Sequence, residues 1–460
     1  MLSLNASLEI ARRALQTQQL AMSVIGTNIA NVNTPGYSRR RTVFQSGIEI
    51  ETGVGTVGAG AEIVNIERIR DATIDTLFRK HNSNYGKWGG LRNHLSKVET
   101  VLNEPNVGSL GNAMEAFWGS WYDLSMEPEN QAARAQVREL GKQLTSSFHE
   151  LHGHLLDLQS NLTDEIEAHI DEINGISERL AQLNTMIMEG EFGGHGASGL
   201  RDERDLLLDQ LSEIVNIQVD EQLDGSTTVM MGSQVLVQRY TGRQLVLATG
   251  TDRTAHSTEI MWRDSNQEAS FSSGLLSGYI TARDDKIQGY IDDLDELAAA
   301  FVGQVNTLHA AGFGLDGGTG RNFFNPERTG AAVIDLDTAI LCGLDSIAAS
   351  TGGLEGDGNQ ALLIANLKNG LVMESGSATI STFYNAMVGR IGFDSQEAAS
   401  FADAEEFLLL DIDNQKLGVS GVSLDEEMTN LLAYQHAYEA MVQVTSTIDE
   451  MMASLIQNLG

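Results

Sequence analysis

Three stretches of the 460-residue chain bring chemistry-bearing side chains close together. His149-Glu150-Leu151-His152-Gly153-His154 offers three imidazoles that could hold a metal for a hydrolase. A zinc-protease helix needs its histidines at i and i+4 with a glutamate between them. Here a helix puts His149, His152 and His154 on different faces, so a solvated or structural role is the better reading. Gly312-Phe313-Gly314-Leu315-Asp316-Gly317 has the form of a dinucleotide loop. Such a loop follows a strand and opens a helix. This one follows a helical stretch ending near Ala311 and reads as a helix stop. Asp284, Asp285, Asp292, Asp293, Asp295 and Glu296 form an acidic helix face. Without a companion histidine or a calcium loop it reads as solvated surface. The chain is read as no enzyme, with no catalytic or metal-binding residues and no cofactor.

Composition narrows the remaining classes. The length suggests about three domains, and 42% apolar residues can fill several cores. With 29 basic against 63 acidic residues and a net charge of −34, the chain is a poor match for nucleic acid or an anionic membrane surface. No run reaches the roughly 18 apolar residues of a membrane span, which excludes a membrane-anchored signalling rod. The N-terminus lacks a basic segment followed by an apolar one, so no cleavable secretory signal is expected. Cys342 stands alone and precludes an intramolecular disulfide. The charge is uneven: residues 1–45 hold five arginines against Glu9, whereas 417–460 hold six acids and no Lys or Arg. The two ends are electrostatically complementary.

The elements that organise these residues are mostly long helices. Leu4, Leu8, Ala11, Leu15, Gln18, Met22, Ile25, Ile29 and Val32 recur every 3.5 residues on average, a coiled-coil seam with one polar intruder. Leu424, Met428, Leu431, Tyr434, Tyr438, Met441, Val444, Ile448, Met451, Leu455 and Leu459 repeat the same period. Ser423 with Glu426 reads as a capping box opening that helix. Val137 to Ile187 carries a period near 3.6 and predicts a very long helix. Shorter helices are predicted at 71–103, 109–126, 200–213, 283–311, 358–371, 378–390 and 395–417. Residues 217–262 hold short β-branched runs with Asp224-Gly225 as a hairpin turn, and 48–67 and 331–336 look extended. The fold class is mainly α: an elongated multi-domain rod with discontinuous terminal coiled-coil and helical domains plus a small β domain. The expected domains are 1–45 with 420–460; 46–216 with 275–330 and 358–419, including an extended segment 46–70; and 217–274 with 331–357.

Ser23 to Arg39 contains Asn28, Asn31, Asn33, Pro35, Gly36 and Tyr37, a helix stop in which Pro35-Gly36 fit a type II turn. This stretch resembles the N-terminal signature of bacterial flagellar rod, hook and hook-associated proteins, with Thr27 where a second Asn is usual. Ser420 to Tyr438 is similar to the matching C-terminal signature. Rod and hook proteins tend to have Asn at the position of Gly421, so Gly421 with the run Asp425-Glu426-Glu427 favours the hook-associated type over a hook or rod protein. Leu200 to Leu211 and Val305 to Phe324 fit the same type, while the β insertion matches weakly and is short. The resemblance implies a structural protein at the junction between hook and filament, exported through the flagellar type III channel to the outside of the cell. It implies self-assembly into a ring or helical polymer through the terminal seams. It also implies contact with the hook protein and a second junction protein, and an export chaperone on the C-terminal helix. Residues 1 to about 45 and 420 to 460 are expected to be mobile in the free chain. A secreted hydrolase on the same scaffold would rest on His149, His152 and His154 alone.

Overall fold

The computed structural model describes residues 2–47, 49–52, 55–58, 60–102, 108–192, 196–249 and 258–459. Pro105 and parts of the glycine-rich stretches 53–60 and 193–199 lie outside them. The chain opens with α1 (Leu2–Ala30), followed by strands β1 (Arg40–Ser46), β2 (Ile50–Thr52), β3 (Gly55–Val57) and β4 (Ala61–Arg68). Helices α2 (Ala72–Leu102), α3 (Leu110–Met126), α4 (Gln131–Phe192) and α5 (Ser198–Ile214) come next. Strands β5 (Ile217–Glu221), β6 (Thr227–Met231), β7 (Gln234–Gln238), β8 (Thr241–Gly242), β9 (Leu245–Thr249) and β10 (Thr258–Trp262) form two small antiparallel sheets. The chain then returns through α6 (Leu275–Ile280), a π-helical stretch (Thr281–Ile287), α7 (Gln288–Ala311), α8 (Thr338–Cys342) and α9 (Asn359–Asn366). It ends with α10 (Ile380–Ser420) and α11 (Leu424–Leu459). The fold is mainly helical and elongated, with a few small sheets.

The helical core forms where apolar stripes meet. α10 runs back along α2, with Trp88 stacked on Phe401 at 4.5 Å between ring centroids. Tyr290 and Lys286 both bond Asp394, at 2.7 and 2.8 Å, tying α7 and the π-helical stretch before it to the first half of α10. Deeper in, Phe117 sits among Trp118, Trp121, Phe301, Phe323 and Phe324, with Trp118 stacked on Phe301 at 4.8 Å. Against α2, the end of α5 and α6 both approach backbone to backbone. A Cβ on Gly86 would lie 2.2 Å from the Glu213 carbonyl oxygen, and one on Gly278 2.3 Å from that of Lys87.

α4 sorts the rest along its length. It spans 62 residues, about 90 Å at helical rise. Near one end, Arg134 donates to the Leu344 and Ile347 carbonyls at 3.2 and 2.7 Å. Near the other, Asn174 bonds both the N–H and C=O of Leu245, and Asn184 bonds those of Thr227. Residues 331–357, expected from the sequence to go with 217–274, instead meet the Arg134 end of α4 through these bonds. Residues 331–333 form a turn and only Leu336 makes an isolated bridge, to Phe324, so the extended segment expected at 331–336 is not present. Two other boundaries also move. β1 pairs with β4, and the hairpin leans on α1 through the Thr17 hydroxyl, 3.0 Å from the Ala61 carbonyl. The β1–β4 hairpin thus packs on α1. The helices expected at 378–390 and 395–417 are one, because Ile391, Ala398 and Ala402 continue the buried face across 391–394.

The loop after α7 is held by two side chains. Asn306 Oδ1 accepts from the N–H groups of Phe323 and Phe324 at 2.9 and 2.8 Å. His309, fully buried, bonds the Arg321 carbonyl through Nδ1 at 2.8 Å and accepts the Ala348 N–H at Nε2 at 2.9 Å. Gly312 closes α7 and ends in this loop, not on a phosphate cradle.

Two predictions follow from this packing. Gly86→Ala forces a methyl into a backbone carbonyl and should cost about 1–3 kcal/mol, whereas Gly89→Ala, with no atom within 4 Å of its Cβ, should gain about 0.5–1 kcal/mol. Urea midpoints that move equally would contradict the close approach of the α5 end to α2. Burial holds the His309 pKa down at about 4, while an unfolded imidazole titrates near about 6.5. The unfolded chain takes up this proton first as pH falls, so this stability is whole above roughly pH 6.5 and lost toward 4. Between pH 7.5 and 5 the loss should be about 2 kcal/mol, and His309→Gln should remove that much of the slope.

Candidate assembly surface at the joined chain ends

The first signature forms a tight corner. Tyr37 N–H reaches the Thr34 carbonyl at 3.2 Å, and Gly36 has φ +77°, the left-handed value that a type II turn requires at its third residue. Gly36 also faces Leu206 of α5: its Cβ would lie 3.0 Å from that of Leu206. Asn31 caps locally, donating to the Thr27 carbonyl at 2.9 Å and accepting from the Thr34 hydroxyl at 3.1 Å. Asn33 and Pro35 are exposed.

Asn28 does the long-range work. Its Oδ1 accepts from the Tyr37 hydroxyl at 2.8 Å and the Arg40 N–H at 3.0 Å. Its amide donates to the Arg40 carbonyl at 2.9 Å and to Glu427 Oε2 at 3.0 Å. Asn28 is 1% and Glu427 2% exposed. Arg39 completes the latch, with Nε 2.7 Å from Glu427, Nη1 2.7 Å from Glu426, and its N–H 2.9 Å from the Ser420 carbonyl. In the sequence Glu427 stands out only as one acid of the Asp425-Glu426-Glu427 run; the charge complementarity of the ends was the one signal of its partner. Glu426 turns to Arg39 instead of closing a capping box with Ser423, whose carbonyl accepts the Glu427 N–H at 2.9 Å. Gly421 has a steric reason: a Cβ there would lie 2.3 Å from the Leu417 carbonyl.

Around this latch α1 and α11 pair side by side. Ala11, Ile25 and Ile448 are buried, and Leu4, Leu8, Leu15, Met22, Ile29, Leu431, Tyr434, Tyr438 and Met441 are half-buried. Leu424, Met428, Val444, Met451 and Leu455 are 41–49% exposed. The face turned to α1 at the distal end uses Thr445, Ile448 and Met452 instead, one position along from Val444 and Met451. The pair therefore leaves apolar side chains uncovered toward both ends of α11.

An ionic cluster joins this module to the helical domain. Asp202, Asp205 and Asp209 share one face of α5. Arg68 lies 2.9 Å from both Asp202 and Asp205, Arg40 3.2 Å from Asp202, Arg79 2.8 Å and Lys416 2.6 Å from Asp209. Arg70 bridges Asp75 at 2.5 Å and Asp205 at 3.4 Å. Burial alone would raise the Asp205 carboxyl; Arg70, Arg68 and Arg79 more than offset it and hold its pKa below the usual range.

The other candidates stay apart. His149 bonds the Ile334 carbonyl at 2.8 Å, His152 is buried, and His154 faces Glu150 at 3.7 Å. Among the described residues no three His, Cys, Asp or Glu side chains are grouped to hold a metal ion. The acidic face splits between Arg283, which takes Asp284, and Arg390, which takes Asp293. No described helix is long and apolar enough to cross a membrane.

Asn28→Ala leaves the Glu427 carboxylate short of one donor and should cost the terminal pair about 1–3 kcal/mol. Hydrogen exchange should quicken in residues 24–30 and 427–434 and stay unchanged in α3, α4 and α7. Unchanged exchange at the chain ends would remove the latch from this account.

Residues 95–324 match the flagellar hook-associated protein FlgK helical domain. Residues 414–458 match the flagellar basal body rod FlgEFG protein C-terminal family, and 8–37 the flagella basal body rod protein family. Flagellar hook-associated protein 1 of Bacillus subtilis (strain 168) is 30% identical over 98% of both chains. That of Escherichia coli (strain K12) is 24% identical over 97% of this chain and 98% of its own. The solved structure of the flagellar hook junction protein FlgK from Burkholderia pseudomallei shares the fold, with TM-score 0.66 and 14% identity, over 75% of this chain and all of its own. With the two signatures latched together and this match along nearly its whole length, the chain belongs to the flagellar hook-associated protein 1 family.

Proposed function

We propose that the protein is a non-enzymatic structural subunit of the hook–filament junction, assembling into a ring or helical polymer through α1 and α11. The observation that carries this is the latched pair itself. A buried polar centre joins the chain ends, yet Leu424 and Met428 at the start of α11 and Val444, Met451 and Leu455 toward its end remain open. Open apolar side chains of this kind mark a surface that partners cover. In this reading the partners are neighbouring copies, the hook protein on one side and a second junction protein on the other. The domains are a terminal module of 1–68 with 420–460, a helical domain of α2 to α10, and a small β domain at 217–262 on α4.

Before assembly these open side chains need cover. An export chaperone on α11 supplies it in the cytoplasm, and the chain then travels unfolded through the flagellar type III channel to the outside of the cell. Met428, Met441, Met451 and Met452 suit a surface that meets successive partners, since the thioether side chain adapts to irregular neighbours. Away from the latch few residues of the pair are buried, so the distal turns order fully only in the polymer.

Val444→Asp tests this surface, because Val444 is 45% exposed and its loss spares the single chain. The purified variant should melt as wild type does. In a strain lacking its own copy it should leave hooks without filaments and filament protein in the medium. Normal swimming would reject the assembly surface.

A further inference from the structure

The apolar repeat of α1 is interrupted once, by Gln18 at the middle of the helix. Gln18 stands one heptad from Ala11 and one from Ile25, which are 1% and 5% exposed, so the repeat that buries them carries it into the pair. Its Oε1 is buried and has no hydrogen-bond partner among the described residues. The fully buried polar side chains of the two helices are satisfied. The Thr17 hydroxyl lies 2.8 Å from the Arg13 carbonyl and 3.0 Å from that of Ala61. Asn28 and Glu427 hold each other and their neighbours in the latch. Among the described residues of α1 and α11, Gln18 alone keeps a buried polar atom without a partner.

Such an acceptor weakens the pair, because burial removes its water and the fold returns no donor. Methionine, similar in length and volume, would fill the position without that loss, and Met22 already stands one turn away. The weak point also divides the pair. On its latch side Ala21, Val24, Ile25, Asn28 and Glu427 are buried. Beyond it, among the described residues, Ala11, Thr17 and Ile448 are buried, and Thr17 is tied to the hairpin. Asn28 is about 15 Å along the helix from Gln18, so the latch lies clear of the weak half.

Resting on the junction reading above, we propose that Gln18 is the point to which the terminal pair opens on assembly. The turns before it leave α11 of their own chain and pack on a neighbouring copy, while the latch keeps the two ends of each chain together. Opening that far exposes little apolar surface and frees the buried acceptor. Opening further would break into Ile25 and the Asn28–Glu427 contact. Exchange of identical elements between copies replaces each lost contact with the same contact made elsewhere, so it proceeds at low cost. Gln18 thus determines which part of the pair changes partner and which part is kept. A seam meant to stay closed would carry an apolar residue there.

The test is Gln18→Met in the full chain. Native-state hydrogen exchange of the free protein should slow at least tenfold for amides 8–18 and stay unchanged for 24–28. In a strain lacking its own copy, the variant should reach the hook end at a tenth of the wild-type amount or less, although it melts no lower than wild type. Unchanged or faster exchange before residue 18 overturns the proposal, and so does slower exchange with wild-type amounts at the hook end. Gln18→Asn, which keeps an amide at the position, is the second arm. It should exchange no more slowly than wild type and reach the hook end normally; its loss there would mean that the side chain acts through shape alone, which also overturns the proposal. Absence of the wild-type chain from the hook end would defeat the junction reading itself, a separate result, since the exchange rates still decide whether Gln18 loosens the pair.

Discussion

A carboxylate taken out of water must be paired or it destabilises the fold. Glu427, 2% exposed, is paired by two groups from the other end of the chain, the Asn28 amide and the Arg39 guanidinium, Asn28 and Glu427 being 399 positions apart. The rest of the architecture has to satisfy that condition. A chain whose ends meet at a buried ion must leave and return along the same path, and it does: α2 carries it outward and α10 brings it back. The latch also answers a question of register. Two helices with a 3.5-residue apolar repeat can slide by a heptad at little cost, and one buried polar contact removes that freedom.

Stability and assembly are divided between the two modules. The helical domain holds the aromatic cluster around Phe117 and the buried stripe of α4, and has a core of its own. The terminal pair buries little and keeps apolar side chains free. Between them lies the cluster of Arg40, Arg68, Arg70, Arg79 and Lys416 with Asp75, Asp202, Asp205 and Asp209. Its members come from the hairpin, α2, α5 and α10, so it fixes how the terminal module leaves the helical domain. Ionic pairing suits that position because it is directional, whereas an apolar contact there would allow sliding.

Much of this was legible in the residues. The long helix α4, the two terminal helices and the corner at Pro35-Gly36 follow from periodicity and turn chemistry, and the uneven charge pointed to contact between the ends. What stayed hidden depended on tertiary partners. Glu427 reads as one acid of three in a helix N-terminus until Asn28 and Arg39 are placed beside it. Residues 331–336 look extended and 331–357 read as part of the β-rich segment, yet Arg134 and His149 of α4 bond the carbonyls of Leu344, Ile347 and Ile334. Strand β1 was missed because Arg40-Arg41-Thr42 carries no alternation of its own; pairing with β4 makes it a strand.

The claim that the ends are coupled through Glu427 is open to a double-mutant cycle. Arg39→Met, Glu427→Leu and the pair would be compared by native-state hydrogen exchange of the α1 amides near Ile25 in the full chain. Coupled groups in one buried network interact by about 0.5–3 kcal/mol. The account predicts that each single change loosens these amides strongly, and that the double variant recovers at least about 1 kcal/mol of the summed loss. Effects that add, with the double variant no better than the sum of the singles, would contradict it.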